Sequence, residues 1–136
     1  VGSEMCIRDR YMTASAPTVL TPDEIEERLA TELTGWSFKD NWIVREYRTS
    51  GWKATLMVVN VVGHLAEAAW HHPDLAVTYA KVRVKLTTHS AKGVTEMDFA
   101  LAKKIDEVVL WRASEEFPGI FEGTPQDPRF KYIRYE

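Results

Sequence analysis

All four histidines of this chain fall between residues 64 and 89, and two of them are adjacent. Histidine, with an unperturbed pKa of ~6.5, is the side chain best suited to both give and take a proton near neutral pH. His71 and His72 stand at the end of a predicted helix, and Pro73 follows them directly. In that helix Glu67 would lie one turn before His71, so that the two side chains would meet. This segment is therefore the first candidate for a site.

Metal binding is one use of such a histidine cluster. A zinc-binding helix usually offers two histidines four residues apart with a glutamate beside the first, whereas His64 and His71 are seven apart. The single cysteine, Cys6, lies far from this segment in the sequence and allows no intramolecular disulfide. We therefore predict that the chain has no metal site.

Acid–base catalysis and a purely structural role are the two remaining uses. One histidine acting as an acid and another as a base could remove water from a substrate without a nucleophile, and the sequence contains no Gly-x-Ser-x-Gly motif. Alternatively, His72 could bond a free carbonyl at the helix end, and His89 could be a polar residue that ends a strand. Spacing alone gives these two interpretations equal weight.

The elements before the histidines follow from hydrophobic periodicity. A first helix is predicted over 21–36, where Thr21 is the N-cap and apolar residues recur every four positions: Ile25, Leu29 and Leu33. Residues 36–50 are rich in aromatic and β-branched side chains around a turn at 39–41, which predicts a β-hairpin.

A continuous apolar run leads into the histidines. Residues 52–70 contain no turn signal before Val62, and the length of the run favours one long, mostly buried helix over a strand. Because proline disfavours helical geometry in the residue before it, Pro73 predicts that this helix stops close to His71.

The remaining elements carry His89 and a second acidic candidate. Residues 75–89 alternate as one long strand, with a change of parity near Ala80 that indicates a bulge or a turn. A last helix is predicted over 95–113, where Thr95 and Asp98 have the spacing of a capping box. The order helix, two strands, helix, strand, helix predicts an α+β domain whose mostly antiparallel sheet is covered by helices on one face.

Composition limits the classes of function. The 136 residues, 45% hydrophobic and 27% charged, fit one ordinary globular domain. A net charge of −3 without long runs of like charge argues against nucleic-acid binding through a basic surface. No apolar stretch reaches the ~20 residues that a membrane span needs. We expect no membrane association and a cytoplasmic location, with which the single cysteine is consistent.

Several short motifs follow one another along the chain: Glu67, His71-His72-Pro73, Asp74, Tyr79, Thr88-His89, Gly93-Val94-Thr95 and Asp98. Their combination, rather than any one of them, resembles the pterin-4a-carbinolamine dehydratases. The likeness extends over roughly residues 21 to 112. It departs from the family pattern at Leu75, where members often carry a tryptophan, and this difference bears on how a pterin ring would be flanked.

The resemblance implies a fold and a reaction. The fold is a four-stranded antiparallel sheet with about three helices packed on one face, usually assembled as a homodimer or homotetramer. The reaction is the dehydration of 4a-hydroxytetrahydropterin, the spent cofactor of aromatic amino acid hydroxylases, to quinonoid dihydropterin. Neither a metal nor an organic cofactor is implied.

The resemblance also assigns roles. His71, His72 and His89 would be the catalytic histidines, with Glu67 and Asp98 supporting their imidazoles. Substrate-binding residues would be His72, Pro73 and Thr88. We expect His71 and His89 to carry protons, one to the departing hydroxyl and one from the pterin ring, while His72 orients the substrate. This hypothesis requires the three imidazoles to converge on one hollow.

Two further expectations concern the ends of the chain and a rival function. Residues 1–12 are predicted to be a non-native or disordered extension, 13–113 the dehydratase-like domain, and 114–136 a proline-rich arm, extended or with a short strand at 131–135. The aromatic residues of the arm keep open a non-catalytic role on the same fold, as a coactivator-like binding module or an enzyme assembly factor.

Overall fold

The computed structural model describes residues 17–135, so the predicted extension at 1–12 lies outside the described residues. In chain order the elements are α1 (Pro22–Glu32), β1 (Ser37–Lys39), β2 (Trp42–Arg48), α2 (Trp52–Ala69), β3 (Asp74–Thr78), β4 (Lys81–Leu86), a 3-10 turn (His89–Ala91), α3 (Glu96–Val109) and α4 (Ala113–Glu116). Within this part of the chain no helix is both long and apolar enough to cross a bilayer.

The four strands form one antiparallel sheet in the order β1-β2-β4-β3. The β1–β2 turn is tight because Asp40 and Asn41 both adopt positive φ, 51° and 72°, which these residue types tolerate. The helices pack on one face of the sheet, where the two layers share a core that includes Ile25, Tyr47, Val62, Val84, Phe99 and Ile105. The predicted fold class is confirmed.

The two helix starts that the sequence predicts are confirmed with their caps. At α1 the hydroxyl of Thr21 accepts from the amide of Glu24, whose carboxylate accepts from the amide of Thr21 in return. At α3 the same reciprocal pair forms between Thr95 and Asp98. These caps fix where both helices begin, and the second places an acidic side chain at the start of α3.

The single strand predicted over 75–89 is wrong, but the turn predicted near Ala80 as an alternative to a bulge is confirmed, because it divides the segment into β3 and β4. A turn at 79–80 reverses the chain, and Val77 pairs with Val82 across the resulting hairpin. The reversal explains the change of parity near Ala80. His89 consequently does not end a strand but begins the 3-10 turn that follows β4.

The helix predicted over the apolar run 52–70 is confirmed, but it is not mostly buried. One stripe faces the sheet, and it consists of Ala54, Thr55, Val58, Val62 and Ala66. Trp52, Leu56 and Met57 are 41–50% exposed on other faces. A helix that lies on one face of a sheet can bury only the stripe that touches it, even where its remaining positions are also apolar.

The C-terminal arm returns to the end of β2. Thr49 forms an isolated antiparallel bridge with Ile133. The amide of Ser50 donates to the Tyr132 carbonyl and the amide of Arg134 donates to the Arg48 carbonyl, each at 2.9 Å. The short strand expected at 131–135 is thus a single bridge, and Ile133 joins the core. The domain boundaries at 13–113 and 114–136 stay predictions.

A polar cluster ties α3 to the sheet beneath it. Asp106 accepts hydrogen bonds from the hydroxyl of Tyr47 and from Trp36 Nε1, the latter at 3.1 Å. Its carboxylate also lies 3.4 Å from the guanidinium of Arg45, which is 7% exposed. Removing the carboxylate would leave several buried donors without their acceptor, and this cost exceeds that of losing one exposed hydrogen bond.

We expect Asp106→Ala to lower the free energy of unfolding by about 2–4 kcal/mol, measured by urea denaturation. The matched control is Glu107→Ala, the next residue of α3, which pairs with Lys104 at the surface. Glu107→Ala should lower the free energy of unfolding by no more than about 1 kcal/mol. Equal losses in the two variants would contradict the role given to the Asp106 cluster.

The same cluster predicts an alkaline pH dependence. Burial, and next the charge of Asp106, raises the pKa of Tyr47 well above its ordinary value. The stabilisation from keeping Tyr47 protonated is complete below the unfolded-state pKa of ~10 and is lost as the pH rises further. The stability advantage of wild type over Tyr47→Phe should therefore shrink by about 1.4 kcal/mol per pH unit above ~pH 10 in urea titrations. A constant advantage would show that Tyr47 ionises equally readily in both states.

Candidate active site

A buried carboxylate at the start of α3 is the centre of the candidate site. The Asp98 side chain is fully buried, and its Oδ1 lies 2.6 Å from His71 Nε2. Its Oδ2 accepts from the Thr88 hydroxyl at 2.7 Å and from the Thr95 amide at 2.9 Å. The position also suits a negative charge, because the amides of a helix N-terminus face it. One carboxylate thus joins α3, the segment after β4 and the segment after α2.

Sequence reasoning left open whether Asp98 caps α3 or supports a histidine. The structure gives it both contacts and divides them between its two oxygens, since Oδ2 completes the capping box and Oδ1 contacts His71. The helix cap therefore holds the carboxylate in the position from which it contacts the imidazole.

His71 is oriented by this contact. When Asp98 is ionised, His71 Nε2 carries the hydrogen and donates it to Oδ1, which leaves Nδ1 as the nitrogen able to exchange a proton with another molecule. The backbone amide of His71 donates to the Ala66 carbonyl at 3.1 Å, and the side chain is only 11% exposed. Both the ring and its backbone are consequently fixed.

The predicted pairing of Glu67 with His71 is wrong, because Glu67 contacts His72 instead. Glu67 Oε1 lies 2.7 Å from His72 Nε2. The reason is that α2 ends at Ala69 and Trp70 adopts a left-handed conformation with φ of 54°. This change of direction breaks the helical spacing, so His71 turns inward while His72 stays at the surface.

His72 also packs against the residue that ends the helix. Its ring meets Trp70 edge-to-face, with centroids 5.0 Å apart. Trp70 is 73% exposed, and the side chain of His72 is 49% exposed. The Glu67–His72 pair therefore belongs to the solvent-facing part of the candidate site, in contrast to the buried His71–Asp98 pair.

His89 is an exposed residue held by an aromatic contact. Its ring packs edge-to-face against Trp42, with centroids 5.5 Å apart, and Lys85 Nζ lies 4.6 Å from the centroid of the same indole ring. Sequence reasoning missed both Trp42 and Lys85. No local sequence signal identifies Trp42, because it lies beside the end of β4 only through the pairing of Ile43 with Leu86.

The shared carboxylate brings the two histidine segments side by side. His71 and Thr88 contact the same Asp98 side chain, and His89 directly follows Thr88. An apolar cavity of about 480 Å³ between α2 and α3 is lined by His71 but not by His72 or His89. A single hollow shared by all three imidazoles stays a prediction.

The other predicted site residues differ in accessibility. Thr88 is 3% exposed and directs its hydroxyl to Asp98 and Thr95, so its contacts are internal. Pro73 is half-buried immediately before β3, and His64 is exposed on α2. Within residues 17–135, no three or more His, Cys, Asp or Glu side chains are placed to hold a metal ion.

The orientation of His71 can be tested without a substrate. In wild type we expect the neutral His71 ring to carry its hydrogen on Nε2, because Asp98 accepts there. Asp98→Asn, whose amide can donate as well as accept, should weaken that preference. Long-range ¹⁵N–¹H spectra of the imidazole nitrogens report the tautomer, with exposed His64 as the internal control. A His71 spectrum that does not change in Asp98→Asn would contradict the contact.

Comparisons with known proteins agree on one family. The family model for pterin 4 alpha carbinolamine dehydratase matches residues 18–108. Among curated proteins, one from Aquifex aeolicus is 52% identical over 90 residues, which cover 66% of this chain and 90% of that protein. One from Chloroflexus aurantiacus is 49% identical, over 66% of this chain and 96% of that protein. Both carry the name "Putative pterin-4-alpha-carbinolamine dehydratase".

A solved structure extends the agreement to the fold. The crystal structure of a transcriptional coactivator/pterin dehydratase from Brucella melitensis is similar with a TM-score of 0.63 and 32% sequence identity. The similarity covers 68% of this chain and 99% of that one. From the extent of the family match and the identity to these relatives, the chain belongs to the pterin-4-alpha-carbinolamine dehydratase family.

Proposed function

We propose that this protein is an enzyme that dehydrates 4a-hydroxytetrahydropterin to quinonoid dihydropterin and water. The observation that carries the proposal is the His71–Asp98 contact at 2.6 Å, which joins an oriented imidazole to the segment that bears His89. An imidazole with one nitrogen bonded to a buried carboxylate is prepared to exchange protons through the other.

The chemistry needs two proton transfers and no electron transfer. The carbon–oxygen bond at position 4a breaks, the departing hydroxyl takes a proton to leave as water, and the pterin ring loses a proton from a nitrogen. One proton is given and one is taken, so the protein returns to its starting state after each turnover. This balance requires neither a redox cofactor nor a nucleophile, and two histidines can supply both transfers.

His71 and His89 divide these transfers between them. His71 acts through Nδ1, because its Nε2 is held by Asp98. His89 presents an exposed ring that is held by Trp42 rather than by a carboxylate. The indole of Trp42 also provides an apolar surface beside His89 against which a flat ring can pack, a role that Leu75 lacks the shape to perform.

The remaining predicted residues act as supports. His72, bonded to Glu67 at the surface, orients the substrate together with Pro73. Thr88, whose hydroxyl donates to Asp98, positions the carboxylate from inside the protein. Thr88 was predicted to bind substrate, and we propose a positioning role because its hydroxyl is already satisfied internally.

The proposed activity recycles the pterin cofactor used by aromatic amino acid hydroxylases. We further propose that the protein acts in the cytoplasm as a homodimer or homotetramer, as the family resemblance implies.

A binding or assembly role is the second candidate, and one observation favours it. Phe117 contacts Trp111 and Phe121 edge-to-face, with centroids 6.5 and 5.9 Å away, and the three side chains are 41–49% exposed. All three lie beyond residue 108, where the family match ends. The similar protein from Brucella melitensis is titled both coactivator and dehydratase. Exposed aromatic clusters often mark surfaces that bind another protein.

A stopped-flow dehydration assay with 4a-hydroxytetrahydropterin tests the proposal. Wild type should accelerate the decay of the substrate above the rate in buffer. His71→Ala and His89→Ala should each lower kcat by ~10²–10⁴-fold, which is the usual contribution of a general acid or base. His64→Ala, an exposed histidine of α2, is the matched control and should leave the rate unchanged.

The possible results separate the alternatives. A folded wild type that does not accelerate the decay would exclude the dehydratase and favour the binding module. An active wild type whose rate survives both substitutions would instead refute the roles of His71 and His89. Circular dichroism of each variant shows whether the fold is retained.

A further inference from the structure

The outer face of the sheet, opposite the helices, is basic in an acidic protein. Strand alternation places five cations and two carboxylates on this face, whereas the whole chain has a net charge of −3. We call this set the basic face, and it consists of Lys39, Arg48, Lys81, Arg83, Lys85, Glu46 and Asp74. Concentrating cations on one face costs repulsion, which a bound anion would relieve.

The Nε of Arg83 is a buried donor on this face without a hydrogen-bond partner among the described residues. Glu46 lies directly across from Arg83 in the β2–β4 register. That carboxylate is already shared, because its oxygens lie 3.9 Å from Arg48 and 3.7 Å from Lys81.

The unpaired Nε of Arg83 indicates that this face binds a ligand. A buried donor without an acceptor costs about 1–3 kcal/mol, so native proteins usually satisfy such groups with a protein atom, a water molecule or a ligand. Because guanidinium presents a planar fork of donors, the acceptor that fits it best is a carboxylate or a phosphate.

A hollow of about 390 Å³ lies beside Arg83. Lys39, Arg48 and Arg83 line it with charge, and Val44, which is 9% exposed, contributes apolar surface. Gly35 also lines it, and a Cβ at that position would overlap the guanidinium of Arg45. The guanidinium that the glycine makes room for is paired with Asp106, so it adds little to the charge of the hollow. Lys39 and Arg48 lie on strands other than that of Arg83, so the arrangement of the three cations depends on the fold.

We propose that the hollow around Arg83 binds a small phosphate-bearing ligand. Several converging cations and one carboxylate match a group with two negative charges better than a single carboxylate does. A hollow of about 390 Å³ can hold a phosphate or pyrophosphate group but not an extended polymer. None of its lining residues belongs to the candidate active site, so the site is additional to the proposed dehydratase and independent of it.

Isothermal titration calorimetry of the full chain with inorganic phosphate and with pyrophosphate tests the proposal. Wild type should bind at least one of them saturably, with one site per chain. Arg83→Gln should weaken binding by about 10–100-fold, because a hydrogen bond to a charged group is lost. Arg83→Lys keeps the positive charge but loses the planar set of donors, so its affinity should lie between those of wild type and Arg83→Gln.

Arg129→Gln is the matched control. Arg129 pairs with Asp127 in the arm, does not line the hollow, and has a side chain that is 76% exposed. This control should bind like wild type, and Arg83→Gln should retain the wild-type dehydration rate. If Arg83→Gln does not fold, Arg48→Gln replaces it, with the same expected loss of binding.

Three results would overturn the proposal. The first is the absence of saturable binding to either anion. The second is equal weakening in Arg83→Gln and Arg129→Gln, which would indicate only a general charge effect. The third is that a single-stranded oligonucleotide binds more tightly than either anion and that substituting each cation of the basic face weakens this binding equally. Such a result would indicate a surface for an extended polyanion.

Discussion

The geometry of the candidate site depends on a single buried carboxylate. Asp98 is forced into the interior by its position in the capping box of α3, where the helix amides favour its charge. An unpaired buried carboxylate would be costly, and here every nearby donor contributes to offsetting that cost. Thr88, Thr95 and His71 are held together because each supplies a hydrogen bond to it. The orientation of His71 is thus a by-product of how α3 begins.

The contrast between the two histidine pairs follows from where α2 ends. The left-handed Trp70 turns consecutive residues in opposite directions, so that one imidazole is bonded in the interior and the next at the surface. Two adjacent histidines therefore occupy different environments. The buried ring contacts a carboxylate in the interior, whereas the exposed ring contacts one at the surface.

Much of this arrangement was predictable from local patterns, and the rest required the sheet. Capping residues and helical stripes act over a few positions, so the starts of α1 and α3 were visible in the sequence. The Glu67 partner was mispredicted because the left-handed residue that ends α2 is a tryptophan, which carries no sequence signal for that conformation. Trp42 reaches His89 only through the pairing of β2 with β4, and pairing register is a long-range property. The basic face could not be predicted for the same reason, since its charged residues are dispersed along all four strands.

The return of the arm to β2 protects that strand. β1 pairs only with Trp42–Val44, so the backbone of β2 beyond this point has unused hydrogen-bonding groups on that side. The hydrogen bonds that the Ser50 amide donates to the arm and the Arg48 carbonyl accepts from it use part of this open edge. Unprotected flanks of this kind recruit strands from other molecules and promote aggregation. The arm therefore covers the exposed edge of the sheet at the end of β2 remote from Trp42.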